Sequence, residues 1–75
     1  MIKIEPKKLK KLRVIDLELT QKEMADDVLG VDKSTYSRWE KQPEQISLGY
    51  VVKLLNYANK KLDKKITVED IFFSF

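Results

Sequence analysis

Six consecutive residues carry five polar side chains that could form hydrogen bonds to nucleic-acid bases. They are Lys33, Ser34, Thr35, Ser37 and Arg38. Lys and Arg donate hydrogen bonds to guanine acceptors, and Ser or Thr can bond either to base edges or to phosphates. Hydroxyl and cationic groups of different reach on one short segment are what base readout in a DNA groove requires.

The same segment has an apolar side if it is helical. Tyr36 and Trp39 are three residues apart and so share a face, which Val31 in the preceding turn can extend. We expect this aromatic pair to lie in the core, because Tyr and Trp supply much of the buried area of a small domain. The polar edge must then face solvent or a partner, and a DNA major groove, about 12 Å wide, admits one helix. We predict a recognition helix over residues 33–40.

Helical periodicity begins near the N-terminus. Pro6 suits the first turn of a helix, where its missing N–H would be unpaired in any case. From residue 7 to about residue 17, Leu9, Leu12 and either Ile15 or Asp16 recur at spacings of three and four. We expect these residues to face the core, with the four lysines of this helix on its outer side. Those lysines are Lys7, Lys8, Lys10 and Lys11.

A second helix is predicted between residues 20 and 30. Thr20 with Glu23 three residues later matches a capping box, and Gly30 can adopt the left-handed conformation that ends a helix. The two predicted helices over residues 20–41 therefore form a helix-turn-helix. The side chains expected in the core from the first of them are Met24, Ala25, Val28 and Leu29.

Three further boundaries complete the pattern. Asp32 is a candidate N-cap of the third helix, Pro43 forbids its continuation, and Ser47 is a candidate N-cap of a fourth helix. Thr67, followed by two acidic residues, starts a short fifth helix. The expected core residues of these last two helices are Val51, Leu54, Leu55, Ala58, Val68, Ile71 and Phe72. We predict one compact all-α domain of five helices spanning residues 1–75.

The stretch TQKEMA followed by GVDKSTYSRWE resembles the helix-turn-helix of the lambda-repressor/Cro-type DNA-binding domains, and the likeness covers about residues 9–73. The resemblance implies a compact five-helix fold and binding to a double-stranded DNA operator. The DNA-binding residues that it implies are Gln21, Lys41 and Gln42 for phosphate, Lys33, Ser34 and Ser37 for bases, Arg38 for bases or backbone, and Thr35 for the backbone.

Two single-residue insertions separate this chain from the usual pattern of the family. One residue too many lies between Ala25 and Gly30, so the second helix or its turn must absorb it. Arg13 precedes Gln21 by eight residues, where the family's arginine precedes the matching residue by seven. In the family that arginine often pairs with the glutamate matching Glu40. The insertions leave open whether Arg13 reaches Glu40 here.

Carboxylates in and near the helix-turn-helix divide the functional interpretation. They are Glu18, Asp26, Asp27, Asp32 and Glu44. Because DNA affinity rests on releasing counterions through basic contacts, so many carboxylates predict weak binding unless the protein dimerises. The leading hypothesis is a small sequence-specific DNA-binding regulator, of repressor or Cro type. The alternative is a protein-binding module, such as a phage antirepressor or an antitoxin, that occupies a partner repressor or toxin.

Other function classes have little support in the composition. The chain has no His and no Cys, which removes the usual base near neutral pH and the thiolate as nucleophile or metal ligand. Asp26 and Asp27 are adjacent, so on a helix they diverge by about 100° and form no shared acid–base or metal pair. We expect no enzyme activity, no cofactor and no metal. No apolar run is long enough for a membrane span, and we expect a cytoplasmic protein.

Two C-terminal features have less specific interpretations. Four lysines, Lys60, Lys61, Lys64 and Lys65, are interpreted as a solvated charge run. In the tail IFFSF, Phe72 is expected in the core. Phe73 and Phe75 could either cover the core or contribute to a dimer or partner contact.

Overall fold

Five helices follow one another along residues 3–74, the part of the chain that the computed structural model describes. In chain order, α1 to α5 are Pro6–Lys11, Gln21–Glu23, Lys33–Lys41, Leu48–Leu62 and Val68–Phe72. A π-helical turn extends α1 over Leu12–Asp16, and another extends α2 over Met24–Leu29. A 3₁₀ turn, Pro43–Gln45, separates α3 from α4. The predicted all-α, five-helix fold is confirmed.

Local capping explains where the helix-turn-helix begins and turns. The Thr20 hydroxyl accepts from the Glu23 amide at 3.1 Å, and the Glu23 carboxylate accepts from the Thr20 amide at 2.9 Å, which confirms the capping box. Gly30 closes the second helix with φ at 70°. Asp32 and Ser47 occupy the predicted N-cap positions of α3 and α4, but neither side chain makes a capping hydrogen bond. Both side chains are exposed to solvent instead.

The core is formed by one cluster to which α1, α3, α4, α5 and the two π-helical turns contribute. Its buried members are Leu9, Leu12, Leu17, Met24, Ala25, Leu29, Tyr36, Trp39, Leu54, Ala58, Ile71 and Phe72. Val28, Val51 and Leu55 pack against this cluster but remain partly exposed. Most core positions predicted for the second, third and fourth helices are therefore confirmed, as are Ile71 and Phe72 of the fifth. The prediction for Val68 is wrong, because this residue is 37% exposed.

The first helix departs from its predicted register because of its π-helical turn. The Leu17 amide donates to the Leu12 carbonyl at 2.8 Å, which is an i to i−5 bond and gives this turn one more residue than an α-turn. Counting in steps of three and four therefore fails after Leu12. Ile15, a predicted core residue, is 61% exposed, while Arg13 and Leu17 are buried.

The second π-helical turn has the same origin. The Gly30 amide donates to the Ala25 carbonyl, again five residues earlier, and the Val31 amide donates to the same carbonyl at 2.9 Å. Each of the two stretches that hold an extra residue thus includes a π-helical turn. We infer that these turns, rather than the loops between the helices, accommodate the insertions.

The two ends of the described chain pair with each other, which the sequence pattern does not predict. Strands β1 (Lys3–Ile4) and β2 (Phe73–Ser74) are antiparallel, and two residues are too few for an alternating pattern to be recognised. Lys8, expected on the outer side of α1, is half-buried and donates through Nζ to the Phe73 carbonyl. Among residues 3–74, no helix is long and apolar enough to cross a membrane.

Candidate nucleic-acid interface

The third helix is buried along one side and open along the other. Tyr36 is fully buried and Trp39 is 8% exposed, which confirms the predicted aromatic contact with the core. The Trp39 ring lies 5.1 Å from that of Tyr50 on α4, measured between centroids, so α3 is held from behind by aromatic packing. Lys33, like its polar neighbours Ser34 and Arg38, is exposed on the opposite side.

The open side of α3 carries a continuous polar edge. Its side chains lie at spacings of three and four, so they share one face: Ser34, Ser37, Arg38 and Lys41, with Lys33 and Thr35 beside them. Ser37 and Thr35 are half-buried, whereas the cationic residues are exposed. Gln42 follows directly as the C-cap residue and is exposed. The short hydroxyl groups lie close to the body of the helix and the long cationic groups extend beyond them.

A buried polar network lies behind this edge and joins the first three helices. The Glu40 carboxylate accepts from Arg13 Nε at 2.5 Å, from the Tyr36 hydroxyl at 2.6 Å and from Gln21 Nε2 at 2.9 Å. Arg13 also donates through Nη1 to the Leu19 carbonyl at 2.9 Å, in the loop between α1 and α2. The pairing of Arg13 with Glu40, left open by the insertions, therefore forms.

The network fixes the ionisation of its members. Burial opposes the charged form of Glu40, but hydrogen bonds from Arg13, Tyr36 and Gln21 outweigh it, and the pKa of Glu40 falls below its ordinary value. The hydrogen bond to Glu40 raises the pKa of Arg13. Burial, together with the bond to Glu40, raises the pKa of the Tyr36 hydroxyl, which stays protonated. At neutral pH the pair is therefore a carboxylate and a guanidinium.

This arrangement determines how the two helices of the motif are oriented. Arg13 comes from the π-helical turn after α1, Gln21 is the first residue of α2, and Glu40 lies near the end of α3. One carboxylate thus holds three segments in a fixed relation. Gln21 gives one amide hydrogen to Glu40, and the second hydrogen on the same nitrogen leaves the predicted phosphate contact chemically compatible with this position.

A groove of about 450 Å³ runs between α1 and α3, and Glu40 lies on its floor. The structure places Gln21, Ser37 and Lys41, three of the predicted site residues, along it. Lys7 and Lys10 of α1 line the opposite wall. These two lysines were not among the predicted DNA-binding residues. Their spacing of three from each other and from Arg13 places them on one helix face, but it does not show that this face borders α3.

The remaining predicted site residues lie outside this groove. Lys33, Ser34, Thr35, Arg38 and Gln42 belong to the outer part of the polar edge and to the end of α3. The candidate interface therefore has two zones. The groove brings together lysines, an amide and a hydroxyl, and the outer edge of α3 presents hydroxyl and cationic groups.

The carboxylates near the motif are exposed, including Asp26 and Asp27 on the π-helical turn that follows α2. Within residues 3–74, no three His, Cys, Asp or Glu side chains come together in a way that could hold a metal ion. The site has the chemistry of hydrogen bonding and charge pairing with a polyanion.

Comparison with known proteins gives one match. A family model described as helix-turn-helix, of the Cro/CI type, matches residues 9–65, from the middle of α1 through α4 and into the connection to α5. Searches of curated proteins and of solved structures return no match. Two helices joined at a left-handed glycine, an aromatic pair behind the second of them and a match over most of the chain point the same way. The chain belongs to the Cro/CI-type helix-turn-helix family, a family of DNA-binding regulatory domains.

Proposed function

We propose that this chain is a small sequence-specific DNA-binding transcriptional regulator, of repressor or Cro type, that inserts α3 into the major groove. The observation that carries the proposal is the division of α3, whose aromatic side is buried while its cationic and hydroxyl side is open. Tyr36 and Trp39 anchor the buried side of α3 in the core. The opposite side can therefore contact a DNA groove while α3 stays packed in the domain. It needs no cofactor to do so.

The outer edge of α3 supplies the base contacts in this proposal. Lys33 and Ser34, together with Ser37 at the border between this edge and the groove, face the base edges, where the lysine donates to guanine O6 or N7 and the hydroxyls donate or accept. Arg38 reaches either a base or the backbone, and Thr35 reaches the backbone. A cationic group that reads a base edge contributes about 1–3 kcal/mol to discrimination against the wrong base.

The groove between α1 and α3 supplies phosphate contacts. Lys7, Lys10 and Lys41 place three positive charges around it, and Gln21 lines the same groove. Lys and amide groups are common phosphate partners, and such contacts set the register of the protein on the duplex without reading sequence. Gln42, just after α3, adds a polar side chain at the same end of the helix.

A selection from a random duplex library, followed by mobility shift at two salt concentrations, tests the proposal. We expect one enriched sequence whose binding weakens steeply as salt rises. Lys33→Ala should relax the preference at one position, whereas Lys10→Ala should weaken binding to all sequences alike and reduce the salt slope by about 1. Lys60→Ala, which removes an exposed lysine from the far end of α4, is the matched control and should change neither.

Failure has a clear form in this experiment. If no sequence is enriched and no duplex is retarded at low salt, the DNA-binding proposal is rejected. If binding occurs but Lys33→Ala and Lys60→Ala behave alike, α3 does not read the bases.

A second candidate function rests on the acidic side of the second helix. Glu23, Asp26 and Asp27 are all exposed and lie at spacings of three and four, so they form one negative face. Such a face suits the basic, DNA-reading surface of a partner repressor, or a toxin, better than it suits DNA. In this function the chain is an antirepressor or antitoxin. Capture of such a partner that is lost in the Asp26→Lys, Asp27→Lys double variant, together with no DNA binding, would favour this candidate.

A further inference from the structure

We propose that a cleft of about 310 Å³ between α1 and the connection from α4 to α5 binds a small amphipathic anion. Such a molecule has an apolar body and one carboxylate or phosphate group. We call this surface the α1–α5 cleft. It is lined by four lysines, Lys8, Lys11, Lys64 and Lys65, around an aliphatic floor. The DNA-binding proposal assigns no role to it.

The floor of the α1–α5 cleft has the size and character of a small-molecule site. Leu12 and Ile71 are buried, Leu62 and Ile66 are half-buried, and all four line the cleft. Small-molecule sites are mostly apolar recesses of about 300–1,000 Å³ with a few polar groups. A closed cavity of about 150 Å³ holds benzene, so this cleft has room for an apolar body about twice that size, such as two fused rings.

The charge of the α1–α5 cleft favours an anion. Among residues 3–74, the one ion pair joins Arg13 to Glu40, so the lysines of the cleft have no carboxylate partner in the described chain. Asp16 and Asp70 also line the cleft, but Asp70 accepts from the amide and the hydroxyl of Thr67, at 3.0 and 3.2 Å, as part of the cap of α5. The four lysines and two carboxylates leave an excess of two positive charges.

The ammonium group of Lys8 is already held in place at one wall. It donates to the Phe73 carbonyl and, at 3.5 Å, to the Glu69 carbonyl, and the side chain is half-buried. An ammonium group has three hydrogens, so one remains for a further acceptor. Because the fold has already fixed this cation, little rotamer freedom is lost when it binds the anionic group of a ligand.

The opposite wall is held by Asn59 of α4. Its side-chain oxygen accepts from the Ile66 amide at 2.5 Å, and its carbonyl accepts from the Lys64 amide at 3.3 Å. Asp63, in the left-handed conformation with φ at 51°, turns the chain after α4. Lys64 and Lys65 therefore stand on a hydrogen-bonded turn. Both walls of the cleft exist before a ligand arrives, which lowers the cost of binding.

A small molecule fits this cleft better than DNA does. The α1–α5 cleft shares no lining residue with the groove between α1 and α3. Lys8 and Lys11 each follow a lysine of that groove by one residue, so they lie about 100° away around α1, on its other flank. The backbone of a duplex is neutralised by cations and gains nothing from an aliphatic floor, whereas an amphipathic anion uses both.

Proton–nitrogen correlation NMR of the full chain without DNA tests the inference, with naphthoate as the probe. We expect saturable shifts confined to the amides of the cleft, including those of Leu12, Ile66 and Ile71. Naphthyl phosphate distinguishes the two head groups, since the anion with the lower Kd carries the preferred one. Inorganic phosphate lacks the apolar body and naphthamide lacks the charge, so each should bind about tenfold more weakly or worse.

Substitutions assign the binding to individual lysines. Lys8→Met keeps the stem of the side chain but removes the fixed ammonium group, and should raise the Kd about tenfold or more. Lys65→Glu should raise it in the same direction and keeps the test valid if Lys8→Met disturbs the strand pair. Lys10→Glu is the matched control, because Lys10 is an exposed lysine of α1 that lines the other groove, and its Kd should be unchanged.

Four results would overturn the inference. They are no saturable shift with either naphthyl anion, shifts that centre on Gln21 and Ser37 instead, equal binding of naphthamide and naphthoate, and equal weakening by Lys65→Glu and Lys10→Glu. A DNA duplex that shifts the amides of the cleft and displaces naphthoate would also overturn it, since the cleft would then belong to the DNA interface. Because the titration contains no DNA, failure of the DNA-binding proposal leaves its result unaffected.

Discussion

The first two helices of this domain differ from the next two in the backbone geometry by which they bury their core residues. Both α3 and α4 keep regular α-helical geometry, and their core residues fall at spacings of three and four. By contrast, α1 and α2 each continue into a π-helical turn that holds one additional residue. The comparison shows that a helix can accept an insertion without moving the residues that it must bury, provided that one turn widens.

The π-helical turns affect more than the local backbone. In the first, Arg13 is brought inward to Glu40 while Ile15 is turned out to solvent. In the second, Met24, Ala25 and Leu29 all remain buried although the segment is one residue longer than the family pattern. π-Helical turns occur often at functional sites. Here the first of them places Arg13 against Glu40, in the network that also joins α2 to α3.

The largest expected effect comes from deleting one residue from each kind of helix. Deleting Val52 from α4 rotates one half of that helix by about 100° relative to the other, which removes either Leu54 and Ala58 or the preceding turn from the core. We expect this variant to lose cooperative unfolding. Deleting Ile15 makes the bond between the Leu17 amide and the Leu12 carbonyl an ordinary i to i−4 bond. We expect that variant to stay folded.

Thermal unfolding followed by circular dichroism distinguishes the two outcomes. Both deletions remove an exposed β-branched residue, so the loss of side-chain contacts is comparable. If the deletion of Ile15 abolishes the cooperative unfolding transition as completely as the deletion of Val52, the first π-helical turn does not accommodate the extra residue.

The next largest effect on stability is expected at the ion pair between Arg13, in the first π-helical turn, and Glu40, on the regular helix α3. Arg13→Ala removes the guanidinium from a nearly buried pair and leaves the Glu40 carboxylate with only Tyr36 and Gln21 as partners. Breaking a buried pair on one side costs about 3 kcal/mol. We expect that loss in the free energy of unfolding measured with urea. Lys60→Ala, at an exposed position, should change it by less than about 0.5 kcal/mol.

Only some features of the fold and of the candidate site follow from the sequence alone. Capping at Thr20 and Gly30 and the division of α3 follow from local chemistry, so residue types and spacing were enough to predict them. Each insertion was visible as a count, but the count did not say whether a loop or a helix would absorb it. The exposure of Ile15 followed from that choice. The candidate site was predicted in its α3 part, while Lys7 and Lys10 required knowing how α1 packs beside α3.

The smallest expected effect is a dependence of stability on pH that originates in Glu40. Because the folded state lowers the pKa of this carboxylate, its contribution to stability is fully present above the unfolded pKa of about 4.3. The contribution is lost as the pH falls through the lowered folded value, since protonation then costs the bonds from Arg13 and Tyr36. Urea unfolding at neutral pH and at several values below about 4.3 measures the decline.

Two variants assign that decline to the network. Glu40→Gln keeps the shape of the side chain but cannot titrate, so its stability should be lower at neutral pH and fall less steeply in acid. Glu23, whose pKa is lowered mainly by the backbone hydrogen bond from Thr20, is fully exposed, and Glu23→Gln should leave most of the decline in place. A decline that persists unchanged in Glu40→Gln and disappears in Glu23→Gln would place the acid-sensitive contact at the helix cap. The regular and the π-helical halves would then not be joined through an ionised Glu40.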